Sequence, residues 1–126
     1  PIISSFTQFT APVPHKELIA MYGSSSVLLI ILTGYRDAEG FMPGKLFEYV
    51  ATGLPIIGTG PELGDAATLL REVGAGEIIE GSEKERIKER VLLHYEAWKA
   101  GKVPGTRQAG TKYSRKQIAK ALTELF

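Results

Sequence analysis

A run of six consecutive apolar residues, from Val27 to Leu32, is the feature that most constrains how this chain can fold. A strand that is apolar on both faces is typical of a parallel sheet covered by helices on each side. The run is far shorter than the roughly 20 residues that a helix needs to cross a bilayer. It therefore predicts a central parallel strand rather than a membrane segment.

Helical and extended patterns alternate on both sides of this run. The spacing of apolar residues and the positions of glycine and proline predict further strands at Ile2–Phe9, 54–58 and 77–80, and helices at 15–21, 43–52, 62–73 and from Ser82 onward. Ser82 and Glu85 have the spacing of a capping box that opens the last of these helices. This order predicts an α/β fold with an open, mostly parallel, Rossmann-like sheet and helices on both faces.

The length of 126 residues fits a single domain. We expect one α/β domain over 1–126, with βα units over 1–100, a linker over 101–112 and a C-terminal helix over 113–126. A second capping box, Ser114 to Gln117, opens that helix.

Composition excludes several kinds of chemistry. The chain has no cysteine, so disulfides, thiolate catalysis and cysteine-ligated metals are ruled out. Two histidines and no Asp-x-Asp pattern give little basis for a metal site, so no metal or cofactor is expected. Aromatic residues do not cluster with basic ones as they do in single-stranded nucleic-acid sites, and no nucleic-acid partner is expected.

Charge is unevenly distributed along the chain. Seven of the 15 basic residues and one of the 14 acidic residues lie from Lys99 onward, so that segment carries +6 and residues 1–98 carry −5. A basic segment can face an anionic partner or a membrane surface, or it can be a solvated helix.

The stretch from Glu39 to Tyr49 carries the most chemical information. Pro43 suits the first position of a helix, and Gly44 and Lys45 follow it, so unpaired N–H groups, the helix dipole and a lysine favour an anion there. Glu48 lies one turn further along the same face, roughly 6 Å along the axis. That distance suits the phosphate and the ribose of a nucleotide, because a carboxylate can accept hydrogen bonds from two vicinal hydroxyls. The plain alternative is a surface Lys-x-x-Glu pair.

Other residues have simpler interpretations. The turn Gly58, Thr59 and Gly60 follows a strand and is a candidate lining of the same pocket. His15 is interpreted as a surface or cap residue at a helix start. His94 falls on an apolar stripe with Ile87, Val91, Tyr95 and Trp98 and is interpreted as a packing residue.

The segment from Pro43 to Ile57 resembles the "PxKxFEYxAxGxPV" signature of family 4-like glycosyltransferases. The likeness extends over about Ile2 to Phe126. Flanking segments of that family are similar to Pro14–Tyr22 followed by Ser26–Leu29, and to Gly64–Ala67 with Gly74–Gly76. The family has two Rossmann-like domains, the GT-B architecture, and binds the sugar nucleotide mainly on the C-terminal one. The resemblance implies that this chain is a truncated part of that C-terminal domain. On that resemblance we expect the acceptor-binding N-terminal domain to be missing and the fragment to be inactive by itself.

The resemblance also implies roles for individual residues. Glu48 matches the second glutamate of the family's Glu-x7-Glu motif, which holds the ribose hydroxyls. Gly44, Lys45 and Leu46 match the helix start that meets the diphosphate, and Phe41 and Met42 fall beside the donor sugar. The first glutamate would fall at Gly40, whereas this chain has Glu39 one place earlier. Glu39 is therefore a candidate catalytic residue that either reaches the sugar through an adjusted loop or is unrelated to the motif.

The implied function is transfer of a sugar from a UDP- or GDP-sugar to a saccharide or lipid-linked acceptor, in polysaccharide or glycolipid synthesis. The family's reaction is metal-independent and retains the anomeric configuration. Such an enzyme is expected in the cytoplasm, in some cases peripheral at the inner face of the membrane. The alternative is a non-catalytic βαβ module that binds an anionic partner or a membrane through the basic C-terminal segment. A bare sheet edge also predicts pairing between copies of the chain.

Overall fold

The computed structural model describes residues 3–33 and 37–102 of the chain. Helices and parallel strands alternate over these residues in the order α1 His15–Gly23, β1 Leu28–Ile31, α2 Gly44–Thr52, β2 Ile56–Thr59, α3 Asp65–Val73, β3 Gly76–Ile79 and α4 Lys84–Lys99. Two short 3-10 helices, Ile3–Phe6 and Ala38–Gly40, precede α1 and α2.

The three strands form one parallel sheet in the order β1-β2-β3. Leu28 lies opposite Ile56, and Ile56 lies opposite Gly76 on the next strand. The core that contains side chains of α1, α2 and α3 occupies one face, and α4 packs on the other face against Leu29 and Ile57. The predicted α/β class, with an open Rossmann-like parallel sheet, is confirmed.

The strand β1 does not have the central place that its sequence predicted. Within the described residues β1 is an edge strand and β2 is the central one. Leu28 and Ile30 are buried, whereas Leu29 and Ile31 are 54% and 60% exposed. A continuous apolar run indicates side chains on two faces of a strand, but it does not say whether something covers both.

The strand predicted at Ile2–Phe9 is wrong over the residues that the structure describes. Ile3–Phe6 forms a 3-10 helix, and no strand follows it before α1. Phe6 and Phe9 are almost fully exposed. A strand is stable only when a neighbour accepts its backbone hydrogen bonds, and apolar composition alone does not supply that neighbour.

In α2 and α3 the helix ends agree with the predicted bounds more closely than the helix starts do. Gly53 and Gly74 end α2 and α3 with φ of 71° and 64°, the left-handed conformation that glycine adopts without a steric penalty. The capping box predicted at Ser82 and Glu85 is wrong, because α4 begins at Lys84 and its N-cap, Glu83, makes no side-chain cap hydrogen bond. The Glu83 carboxylate instead accepts a hydrogen bond from Arg86 at 2.6 Å.

Ion pairs connect α4 to β3 and to the segment between β2 and α3. Arg86 donates to Glu62 at 2.7 Å, and Arg90 pairs with Glu77 on β3. The hydrogen bond from Arg86 lowers the pKa of the Glu62 carboxyl, and the hydrogen bonds to Glu62 and Glu83 raise the pKa of Arg86. No residue of α4 is fully buried. The predicted linker beyond Lys102 and the predicted C-terminal helix lie outside the described residues.

Candidate functional site

The order of elements brings three helix N-termini to one edge of the sheet. Each helix that joins two parallel strands must run antiparallel to them. The helices α2 and α3 join β1 to β2 and β2 to β3, so both begin near the carboxyl ends of the strands. The start of α1 lies at the same edge, because His15 is 2.9 Å from Glu48 in α2. Open α/β sheets bind ligands at this edge, and helix N-termini there favour negative groups.

An open cleft of about 760 Å³ lies at this edge. Its lining comes from the segments that follow all three strands, namely Leu32, Thr33, Asp37, Ala38, Glu39, Gly40, Gly60, Pro61 and Glu80. Two backbone bonds extend the ladder to its base, from Leu32 N–H to Thr59 O at 2.7 Å and from Gly60 N–H to Ile79 O at 3.0 Å. The cleft is therefore built on the ends of the strands.

Close backbone contacts fix the walls of the cleft. A Cβ on Gly64, just before α3, would come within 2.8 Å of the Glu39 carbonyl oxygen. A Cβ on Gly60 would come within 2.8 Å of the Leu32 Cβ. Glycine thus allows the 3-10 helix that carries Glu39 to lie directly against the start of α3.

The described lining of the cleft is acidic. It contains the carboxylates of Asp37, Glu39 and Glu80 and no basic side chain. Glu80 also accepts a hydrogen bond from the Glu62 N–H at 3.2 Å. In the described part of the chain no group of three histidine or acidic side chains is arranged to hold a metal ion. Carboxylates accept hydrogen bonds from hydroxyls and repel phosphates, so these three side chains favour a neutral polyhydroxyl group over an anion.

The helix α2 offers the complementary kind of surface. Its N-cap is Pro43, which makes no side-chain cap hydrogen bond, and Leu46 N–H donates to Pro43 O at 3.0 Å. The N–H groups of the residues before Leu46 point out of the helix start, as at any helix N-terminus. Nothing lies within 4 Å of a Cβ built on Gly44, and Lys45 is exposed. This helix start can therefore receive an anion.

Glu48 is half-buried one turn behind that start, with 38% of its side chain exposed. Its Oε1 is 2.9 Å from Nε2 of His15, the first residue of α1. The bond crosses the seam where α1 packs beside α2. On the inner side of this seam, the rings of Tyr22 and Tyr49 pack edge to face, with centroids 5.2 Å apart. Burial, and then the nearby Glu48 charge, raises the pKa of Tyr22; burial, Tyr22 and Glu48 raise that of Tyr49.

The predicted site residues fall into two groups, one at the cleft and one along α2. Glu39 and Gly60 line the cleft, whereas Gly44, Lys45 and Glu48 lie along α2 and are not part of its lining. Between the two groups, Phe41 is partly exposed and Met42 packs against the core. The side chain of Leu46 is fully buried and contributes to the core.

The predicted strand-end turn contributes unevenly to the cleft. Gly58 is enclosed in the sheet, where a Cβ would come within 2.7 Å of Ile78. Thr59 is half-buried and pairs with Ile79, while Gly60 alone of the three lines the cleft. Sequence reasoning missed the partnership of His15 with Glu48, because no local pattern connects residues 33 positions apart.

A second, apolar groove of about 300 Å³ lies on the other face of the sheet. Its lining comprises Ser26, Val27, Leu29, Ile57, Val91, His94, Tyr95 and Trp98. Every residue of the predicted stripe on α4 except Ile87 therefore faces this groove. The Nδ1 atom of His94 is buried and has no hydrogen-bond partner within the described residues. Burial, and then the charge of Arg90, lowers the pKa of His94 against the opposing effect of Glu77.

Comparison with models of known families, with curated proteins and with solved structures gave no match. None of the helices within residues 3–33 and 37–102 combines the length and the apolar character that a bilayer crossing requires.

Proposed function

We propose that this chain is the donor-binding part of a sugar-nucleotide-dependent glycosyltransferase of the GT-B architecture. The observation that carries the proposal is the position of Glu48, a half-exposed carboxylate one turn behind an uncapped helix start. That helix start belongs to the same sheet edge as the acidic cleft. The resemblance of Pro43–Ile57 to the family signature adds to this geometry.

The charges at this edge of the sheet support a particular position for each part of the sugar nucleotide. The neutral sugar occupies the acidic cleft, where carboxylates such as Glu39 and Glu80 accept its hydroxyls. The diphosphate meets the N–H groups at the start of α2 and the Lys45 ammonium. The ribose hydroxyls donate to Glu48. A nucleoside diphosphate has no sugar beyond its phosphates, so it would leave the acidic cleft empty in this arrangement.

The proposed reaction transfers the sugar to a saccharide or lipid-linked acceptor with retention of configuration. As the bond between sugar and phosphate breaks, negative charge develops on the departing diphosphate. The helix N–H groups and Lys45 stabilise that charge without a metal ion. Glu39 serves the sugar rather than the nucleotide in this scheme, because it lines the cleft. The proposed setting is the cytoplasm or the inner membrane surface.

Calorimetric titration with UDP and with GDP tests the proposal. We expect one of them to bind, and Glu48→Ala to weaken its binding about 5- to 100-fold, or about 1–3 kcal/mol, because ribose hydroxyls lose their acceptor. Glu89→Ala removes an exposed carboxylate from α4 and is the matched control. Equal affinity of the Glu48 variant and the control would remove Glu48 from the site.

The exposed apolar surface of Leu29, Ile31 and the α4 groove favours a second candidate, a non-catalytic interaction module. Its anionic partner or membrane would bind the basic segment after Lys99. Sedimentation with anionic liposomes tests this role. Salt-sensitive binding that is lost when Lys112, Arg115 and Lys116 are neutralised would support it, and binding of nucleotide without lipid would reject it.

A further inference from the structure

The hydrogen bond between His15 and Glu48 joins the first turn of α1 to the middle of α2. The two side chains are 68% and 38% exposed, so a dissolved molecule can reach both. The Nε2 to Oε1 distance of 2.9 Å is that of a well-formed hydrogen bond. Exposed pairs of this kind contribute little to stability, so the contact has little value as a structural tie alone.

The hydrogen bond from His15 can instead fix the orientation of the Glu48 carboxylate before hydroxyls bind to it. An exposed glutamate samples several rotamers, and a ligand that needs one of them must pay the entropy of fixing it. A hydrogen bond from His15 Nε2 holds Oε1 in one place before any ligand arrives. Each carboxylate oxygen accepts two hydrogen bonds, so Glu48 keeps one acceptor position on Oε1 and both on Oε2. These positions suffice for two vicinal hydroxyls.

The inner side of the contact between α1 and α2 is closely packed. Tyr22 and Tyr49 are buried there, and their rings pack edge to face at 5.2 Å. Buried side chains therefore hold together the two helices that carry His15 and Glu48.

We propose that His15 is the positioning residue of the nucleotide site, holding the Glu48 carboxylate in the orientation that accepts the ribose hydroxyls. The inference rests on the proposed function and adds to it a residue from a different helix. His15 itself acts through Glu48 and needs no contact with the phosphates.

Nucleotide titrations of four variants test this role. With the better-binding nucleotide of the UDP and GDP pair, His15→Ala is expected to weaken affinity about three- to tenfold, the size of one lost hydrogen bond. His15→Gln keeps an N–H donor at a similar reach and is expected to return affinity to within about twofold of the unchanged chain. In the Glu48→Ala background, His15→Ala is expected to have no further effect.

The possible outcomes separate the two proposals. If the unchanged chain binds neither nucleotide, the proposed function fails and this inference fails with it. If it binds and Glu48→Ala weakens binding while His15→Ala does not, only the positioning role is overturned. The same conclusion follows if His15→Gln does not rescue, or if His15→Ala has its full effect without Glu48. Circular dichroism of each variant checks that the fold is retained.

Discussion

The two faces of the sheet are covered in different ways. On one face α1, α2 and α3 share a continuous apolar core with the strands, and their N-termini converge on the acidic cleft and the Glu48 seam. On the other face α4 has no fully buried residue and is attached through Arg86 and Arg90. The difference teaches that the candidate site is built on the tightly packed face. The α4 face keeps an apolar groove and exposed leucines.

The largest expected effect comes from matched leucine truncations on the two faces. Leu70→Ala removes a side chain that is 0% exposed in α3 and is expected to cost about 2–5 kcal/mol of unfolding free energy. Leu92→Ala in α4, where the side chain is 48% exposed, is expected to cost less than about 1 kcal/mol. Urea unfolding measures both. Equal losses would contradict the contrast between the faces.

A smaller effect is expected where the cleft meets α3. Gly64→Ala places a Cβ 2.8 Å from the Glu39 carbonyl oxygen, so backbone must move, at an expected cost of about 1–3 kcal/mol. Gly23→Ala, at the end of α1, has nothing within 4 Å of the new methyl and is the matched control. Its stability is expected to change by less than about 1 kcal/mol. If Gly64→Ala behaves like the control in urea unfolding, the wall does not pack as described.

The smallest effect is expected from the ion pairs of α4, and it depends on pH. Arg86 lowers the pKa of Glu62 in the folded chain, so the stabilisation is present above the unfolded glutamate pKa of about 4.3. This stabilisation is lost as the pH falls through the pKa that Glu62 has in the folded chain, which is lower than its unfolded pKa. The urea midpoints of Arg86→Ala and the unchanged chain are therefore expected to differ slightly at pH 7 and to converge as the pH falls below the lowered pKa of Glu62. A difference that grows on acidification would contradict this assignment.

Local signals predicted much of this fold. Short apolar runs that alternate with helical stretches identified β1, β2 and β3. Parallel strands need such connecting helices, because each strand starts at the edge opposite to the one where the previous strand ends. Gly53 and Gly74 were identifiable as helix ends because few other residues adopt a positive φ at low cost. The apolar stripe of α4 followed from its period.

Tertiary contacts decided the rest. Whether Leu29 is covered depends on what packs over β1, and residues 2–9 form a strand only if a neighbour pairs with them. Ser82 does not cap α4, because the helix begins at Lys84 with Glu83 as its N-cap, and Glu83 bonds to Arg86. The partnership of His15 with Glu48 arises because α1 and α2 pack side by side, which no local pattern encodes.

Amide chemical-shift mapping during titration with UDP or GDP tests the central claim most directly, because it observes both faces at once. The account predicts that the largest shifts fall on Gly44, Lys45 and Glu48 at the start of α2, with smaller ones at His15. The α4 groove residues Val91 and Trp98 are predicted to stay unchanged. Shifts confined to the groove, or no shifts with either nucleotide, would contradict it.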